Sequence, residues 1–297
     1  MKHRDRVRMT LEHEEPDRCP MQISFTPEFA ARLQAQLQAM GVQSGETHHN
    51  PHGGGNTYEL ERALDQDMLL TSVGWANSYY ANATYNPGGT TYTDEWGITW
   101  RNVAYDTRFG PGMYTEIAQH PLADDAAIAS YRPPDPQRPE LYRDAEWTLN
   151  TFRGEYWIVG VTVTTIFETA WALRGLAQML MDFVTNPELA EALLDIPFRY
   201  HLAAAERLTR MGVDMLWIGD DVGAQQGMLL SPATWRRFLK PRLAEFIASV
   251  KAINPEVRVA YHSDGCIYPI IPELIEVGVD ILNPIQPASM DPARLKR

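Results

Sequence analysis

One pattern recurs along this chain and narrows its fold. A short apolar run ends in polar residues, and a helix start follows. Residues 257–265, VRVAYHSDG, show it most clearly. Val257 to Tyr261 reads as a buried strand closed by His262 and Asp264. On extended backbone, side chains two apart point the same way, so an imidazole and a carboxylate project together from the strand's end. Pro272 and the apolar run after it then start a helix. A strand that presents chemistry at its carboxyl end and turns into a helix is the unit of a (β/α) barrel.

The same unit is legible elsewhere. Residues 19–25 (CPMQISF), 67–74 (DMLLTSVG), 156–163 (YWIVGVTV), 214–223 (DMLWIGDDVG) and 280–287 (DILNPIQP) read as strands. Thr26-Pro27-Glu28, Asn186-Pro187-Glu188 and Ser231-Pro232 are helix starts, each a cap followed by proline. Gly41 and Gly212 are stops. Continuous helices are predicted after residue 163 to Phe183 and from Ser231 to about Ile253. Residues 1–17 predict a short amphipathic helix before the first strand.

About six strand–helix units can be counted, whereas a closed barrel needs eight. The expectation is an α/β fold, a TIM barrel lacking its last strands, with residues 1–297 as one C-terminally incomplete domain. An open parallel barrel exposes unpaired edges, which predicts pairing with another chain, a homodimer included.

Residues 75–118 differ in texture. Their period-two alternation, as in TYTDEWGITWRNVAY, predicts a β-hairpin insertion projecting over the barrel mouth. Trp96, Trp100 and Tyr114 either line a pocket there or form the insertion's own core. His48, His49 and His52 either bind metal or decorate a solvated Gly-rich loop.

Composition removes several function classes. The net charge of −12 argues against a nucleic-acid or anionic-membrane surface. Two cysteines make no disulfide framework, and the first twenty residues carry no apolar signal core, so the expected compartment is the cytoplasm. No P-loop, GxGxxG or GxSxG is present.

Three strand ends carry polar clusters: Asp220 with Asp221, His262 with Asp264, and Asn283 with Gln286. In a (β/α) barrel all would share one rim, where active sites sit. His262 and Asp264 form a candidate metal pair, since imidazole and carboxylate both suit zinc. Asp220, Asp221 and His262 are the candidate catalytic residues. Asp220 serves either as acid/base or as the partner that orients His262. Asp221 is either a rim group or a helix cap. Cys266 either adds a thiolate or faces the following helix. Phe167, Glu168, Gln225, Tyr268, Asn283 and Gln286 are the substrate-binding candidates.

The stretches DRVRMTLEHEEPDRCP, DEWGITW, GDDVGAQQGMLLSPATWRRFLKP and HSDGCIYPIIPELIEVGVDILNPIQP together resemble the uroporphyrinogen decarboxylase-like superfamily. That superfamily holds the decarboxylase of haem biosynthesis and corrinoid-dependent methyltransferases acting on small methylated or methoxylated compounds. The resemblance implies a (β/α)₈ barrel. Decarboxylases of the family carry an RQAGR-type motif after the first strand that holds the substrate's carboxylates; the matching stretch here, MQISFTPEFAAR, lacks both arginines of that motif and has only Arg32 at its end. The expected rim is acidic instead, and it would repel such a substrate. The methyltransferase branch holds zinc on an H-x-C pattern with a later cysteine. His262 matches the histidine, and Asp264 stands in the cysteine's place. The resemblance thus implies a methyltransferase-like enzyme, zinc-assisted, with a small-molecule substrate and a corrinoid carried by a partner protein. The alternatives are uroporphyrinogen decarboxylase activity and a non-catalytic binding barrel.

Overall fold

The computed structural model describes residues 1–42, 57–73, 91–108 and 110–297. His48, His49 and His52 of the Gly-rich loop, and residues 75–90 of the expected insertion, lie outside these. In chain order the described strands are β1 (Met68–Ser72), β2 (Thr91–Thr93), β3 (Thr99–Thr107), β4 (Gly110–Gln119), β5 (Trp157–Val161), β6 (Met215–Gly219), β7 (Gly223–Ala224), β8 (Gly227–Met228), β9 (Arg258–His262) and β10 (Ile281–Asn283).

Five of them form one parallel sheet in the order β1-β5-β6-β9-β10. Its two faces are set by alternation along each strand. Met68, Leu70, Trp157, Val159, Val161, Met215, Trp217, Ala260 and Ile281 pack together on the concave side. Their neighbours Leu69, Ile158, Leu216, Ile218, Val259 and Tyr261 pack against the helices outside. Carboxyl ends of adjacent strands therefore meet at one rim, with Gly219, His262 and Asn283 side by side in register.

The helix at His3–Leu11 closes the opposite end. Val7, 1% exposed, inserts among Trp157, Val159 and Val161. Arg4 N–H donates to the Glu155 carbonyl, just before β5, at 2.9 Å. Asp67, which precedes β1 and has no exposed surface, accepts from His3 Nδ1 (3.0 Å), Arg18 Nη1 (2.6 Å), the Met21 N–H (2.7 Å) and Arg6. Sequence inspection found this helix but not its role as the floor of the sheet's concave side.

Three expectations change. Residues 19–25 are extended but are not a strand. Asp67 N–H bonds the Met21 carbonyl at 2.8 Å, while the Gln66 carboxamide takes both backbone groups of Ile23, at 2.8 and 3.1 Å. A side chain thus replaces the ladder. The helix expected after β5 is two, Phe167–Arg174 and Leu176–Thr185, broken at Gly175 with φ +96°. The helix expected from Ser231 is also two, Pro232–Phe238 and Lys240–Ile253, because Pro241 has no N–H to carry the ladder through. Caps at Thr26, Asn186 and Ser231 form as read, each accepting from a backbone N–H three residues on.

Strands β2–β4 form a separate antiparallel sheet over residues 91–119. Trp96 packs on Tyr200 and His201 of the Pro187–Met211 helix, with ring centroids 4.8 and 6.1 Å away. Trp100 is buried and donates through Nε1 to Asp94 at 2.7 Å. Both indoles belong to the core. Tyr114 is exposed beside Tyr105.

Candidate active site

His262 ends β9, in phase with Ala260, so its ring faces the concave side. Its neighbour in register is Asn283 of β10. The Asn283 Oδ1 lies 2.8 Å from His262 Nδ1. An amide oxygen only accepts, so Nδ1 carries the proton and Nε2 presents a lone pair. That lone pair looks toward Asp221, whose Oδ1 is 3.8 Å from Nε2. The chain then turns through Ser263, which is fully buried and accepts the Val222 N–H at 3.1 Å. Asp264 follows. Its N–H donates to Asp221 Oδ1 at 2.7 Å.

Asp221, His262 and Asp264 each offer one ligand atom, all within 4.8 Å of one another. The sequence reading had His262 and Asp264 as the ligands and Asp221 as a catalytic group. The structure adds Asp221 to the donor set. One imidazole and two carboxylates suit a divalent metal such as zinc. Bonds of about 2.1 Å require ligand atoms no more than ~4.2 Å apart, so these donors would have to draw together by about half an ångström to hold an ion. Cys266 is outside the group; it packs against the helix-side core.

Close approach at this rim depends on Gly219. A Cβ there would sit 2.1 Å from the His262 carbonyl oxygen, and its φ is +139°. Gly265 is similar: with φ +80°, a Cβ would meet the Ala224 oxygen at 2.7 Å. Thr164, beyond β5, holds a φ of +60°, unusual for a β-branched residue, and its carbonyl accepts from Thr169 Oγ1 at 2.7 Å.

Two further carboxyls complete the cluster. Asp220 is 3% exposed and turns away from His262. It accepts the Ile166 N–H at 3.0 Å and the Glu168 N–H at 2.9 Å, so it holds the turn that opens the Phe167–Arg174 helix. Glu168 Oε2 accepts the Asp221 N–H at 3.1 Å. Burial, then the charges of Asp220, Asp221 and Asp264, pushes the Glu168 carboxyl up to about 8. Burial raises Asp220 as well, against its backbone donors. Those donors favour the Asp220 anion, so the proton of the pair resides on Glu168.

The remaining sequence candidates fall in different places. Gln286 Oε1 accepts the Gly265 N–H at 2.9 Å, and its Nε2 donates to Gln225 at 3.0 Å. Both amides brace the loop after β9. Tyr268 donates to the Asp291 carbonyl at 3.1 Å and lies under Arg294, away from the three-ligand cluster. Phe167 does not line the site; it is fully buried against Phe183 on the helix side. A cavity of about 350 Å³ lies elsewhere, between Pro133, Pro134, Pro136, Ile196 and Tyr200, and contains no comparable donor set.

Parallel strands, helices outside and reactive side chains at the carboxyl rim define a TIM-barrel-type α/β protein with a candidate active site at its mouth. A family model described as uroporphyrinogen decarboxylase (URO-D) matches residues 103–294. The chain belongs to the URO-D family. Over 100 residues it is 30% identical to the methylcobamide:CoM methyltransferase MtaA of Methanosarcina barkeri, and 28% identical to the MtaA of M. barkeri strain Fusaro. Each match spans 34% of this chain and 27% of the relative. A solved methyltransferase from Methanosarcina mazei superposes with a TM-score of 0.58 at 18% identity, over 95% of this chain and 75% of that one. That likeness speaks for the fold. Among the described residues no helix is long and apolar enough to cross a membrane.

Proposed function

We propose that this chain is a methyltransferase-type enzyme that moves a methyl group from a small methylated or methoxylated compound. In this reading Asp221, His262 and Asp264 hold a divalent metal, zinc by preference. The observation that carries it is the three-ligand cluster, with the His262 lone pair directed by Asn283. The similarity to methylcobamide:CoM methyltransferases supports the reaction class and a corrinoid-bearing partner protein.

When bound, such a metal acts as a Lewis acid that lowers the pKa of a thiol or alcohol. The chain's own residues do the rest. Asn283 fixes the His262 tautomer. Asp221 bridges the loops after β6 and β9 by accepting the Asp264 N–H. Glu168 holds a proton beside Asp221, at a group able to give or take it near neutral pH.

The rim also speaks against uroporphyrinogen decarboxylation. Asp221 and Asp264 present carboxylates there, and a substrate bearing many carboxylates would be repelled. The discriminating experiment incubates the protein with uroporphyrinogen and, separately, with a small methoxylated or methylated compound and a corrinoid protein in its reduced, methyl-accepting state. Methyl transfer without coproporphyrinogen supports this reading; coproporphyrinogen formation overturns it.

A further inference from the structure

We propose that a second binding site lies away from the barrel mouth, in the cleft between the Pro187–Met211 helix and the proline-rich segment 133–136, and that it takes a small ring-bearing carboxylate. This goes beyond the methyltransferase reading and does not depend on it.

The first observation is shape. Ala192, Asp195, Ile196, Arg199 and Tyr200 fall at helical spacing, so one stripe of that helix faces the segment. Pro133, Pro134 and Pro136 form the opposite wall, and the space between holds about 350 Å³. That volume sits at the small end of ligand pockets. Ala192, Ile196 and the proline rings make the lining apolar, and the Tyr200 ring, 2% exposed, is buried at its base. The proline wall is fixed in place. Tyr142 Oη donates to the Pro136 carbonyl at 2.6 Å, Arg207 Nη1 to the Gln137 carbonyl at 3.0 Å and Arg138 Nε to the Asp135 carbonyl at 3.2 Å. A pre-formed apolar slot of this kind takes a flat ring without first having to order its walls.

Charge then selects among rings. Two charged residues line the cavity, Asp195 and Arg199. Asp195 Oδ1 accepts from Arg242 Nε at 2.8 Å and Nη2 at 2.6 Å, so its charge is matched. Arg199 is 81% exposed, and among the described residues its one ion pair is a 3.9 Å contact with that same aspartate. The Arg199 guanidinium is thus the uncommitted charge at the cavity. Asp135 lies between the wall prolines in sequence but outside the lining; its carboxylate accepts the Gln137 N–H at 2.8 Å. Glu191, a helical turn before Asp195, faces Arg237 at 4.0 Å. A planar guanidinium pairs with a carboxylate through two parallel hydrogen bonds. An apolar ring bearing one carboxylate satisfies both the slot and the cation, whereas a ring bearing a cation is repelled by Arg199.

The test uses three probes of one shape: naphthoate, the neutral naphthamide and the cation naphthylmethylammonium. Each is titrated into the full, metal-free chain and followed by ligand-observed NMR. The expected result is naphthoate tightest, about two- to fivefold ahead of the amide, with the cation weakest and the gap closing at high salt. Arg199→Gln should erase the gap and leave the amide's affinity unchanged. Ala192→Trp, at an exposed position on the helical wall, should block all three. If circular dichroism shows that variant unfolded, Arg199→Gln decides. No binding of any probe, equal affinities, a gap that survives in Arg199→Gln, or undiminished binding in a folded Ala192→Trp protein overturns the inference. Because metal is absent throughout, none of these outcomes bears on the group at Asp221, His262 and Asp264.

Discussion

Nδ1 of His262 and Oδ1 of Asn283 lie 2.8 Å apart, on residues directly opposed across β9 and β10. A parallel ladder thus sets the orientation of the candidate metal ligand before any metal arrives. Partners of this kind fix ring orientation and raise ligand basicity. Asn283→Ala should weaken zinc binding about 10–100-fold with the fold intact. Asn283→Asp, which keeps an acceptor, should restore much of it. Competition with a chromophoric chelator measures both, and an unchanged affinity in Asn283→Ala would contradict the assigned role.

Gly219 is the second structural requirement of the rim. Alanine there would place its Cβ 2.1 Å from the His262 oxygen at φ +139°. Gly219→Ala should cost about 2–4 kcal/mol in urea unfolding, since both strain and overpacking apply. A loss below ~0.5 kcal/mol, within the range of ordinary surface substitutions, would mean the strands have room that the geometry denies.

Asp67 anchors the N-terminal helix under the sheet. Burial pushes its carboxyl up, but hydrogen bonds from Met21, His3, Arg18 and Arg6 outweigh that and hold it below the ordinary carboxylate value. A depressed folded value stabilises the protein above the unfolded pKa, and the contribution disappears as pH falls through the folded value. Asp67→Asn should therefore cost about 3–5 kcal/mol at neutral pH, because it strands buried cationic partners. Its acid limb, below about pH 4, should be shallower than the wild type's. Equilibrium unfolding across pH checks both parts.

Glu168 has the opposite sign. Its folded carboxyl is raised to about 8. Between the unfolded value near 4.5 and that point, the unfolded chain loses a proton that the folded chain keeps, so stability falls as pH rises. In metal-free protein Glu168→Gln should flatten this decline and stabilise the fold by about 1–3 kcal/mol at pH 8. Parallel declines in wild type and variant would place the proton elsewhere.

How much of this was legible follows physical lines. Strands β1, β5, β6, β9 and β10 stand out because each is a compact apolar run bounded by polar residues. The His262 and Asp264 pair follows from period two, and the repeated strand–helix unit put His262 and Asn283 at one rim. The place of Asp221 in the candidate donor set was hidden, because two adjacent aspartates look alike until the backbone turns one inward. Asp220 went to the turn at Ile166 and Glu168, and Asp221 went to His262. Phe167 was misplaced because its helix begins at that residue, and the helical turn carries the ring to the outer layer. Residues 19–25 alternate like a strand, yet Gln66 takes their backbone groups. No local pattern announces that substitution. The helix break at Lys240 had a visible signal in Pro241, which the apolar period around it obscured.

The central claim is that Asp221, His262 and Asp264 form one metal site. Cobalt(II) titration followed by visible absorption tests it most directly, because d–d bands report nitrogen and oxygen ligation at a defined stoichiometry. The account predicts saturation at one equivalent, displacement by zinc, and loss of the signal in both His262→Ala and Asp221→Asn. No signal in the wild type, or an unaltered one in those two variants, would contradict it.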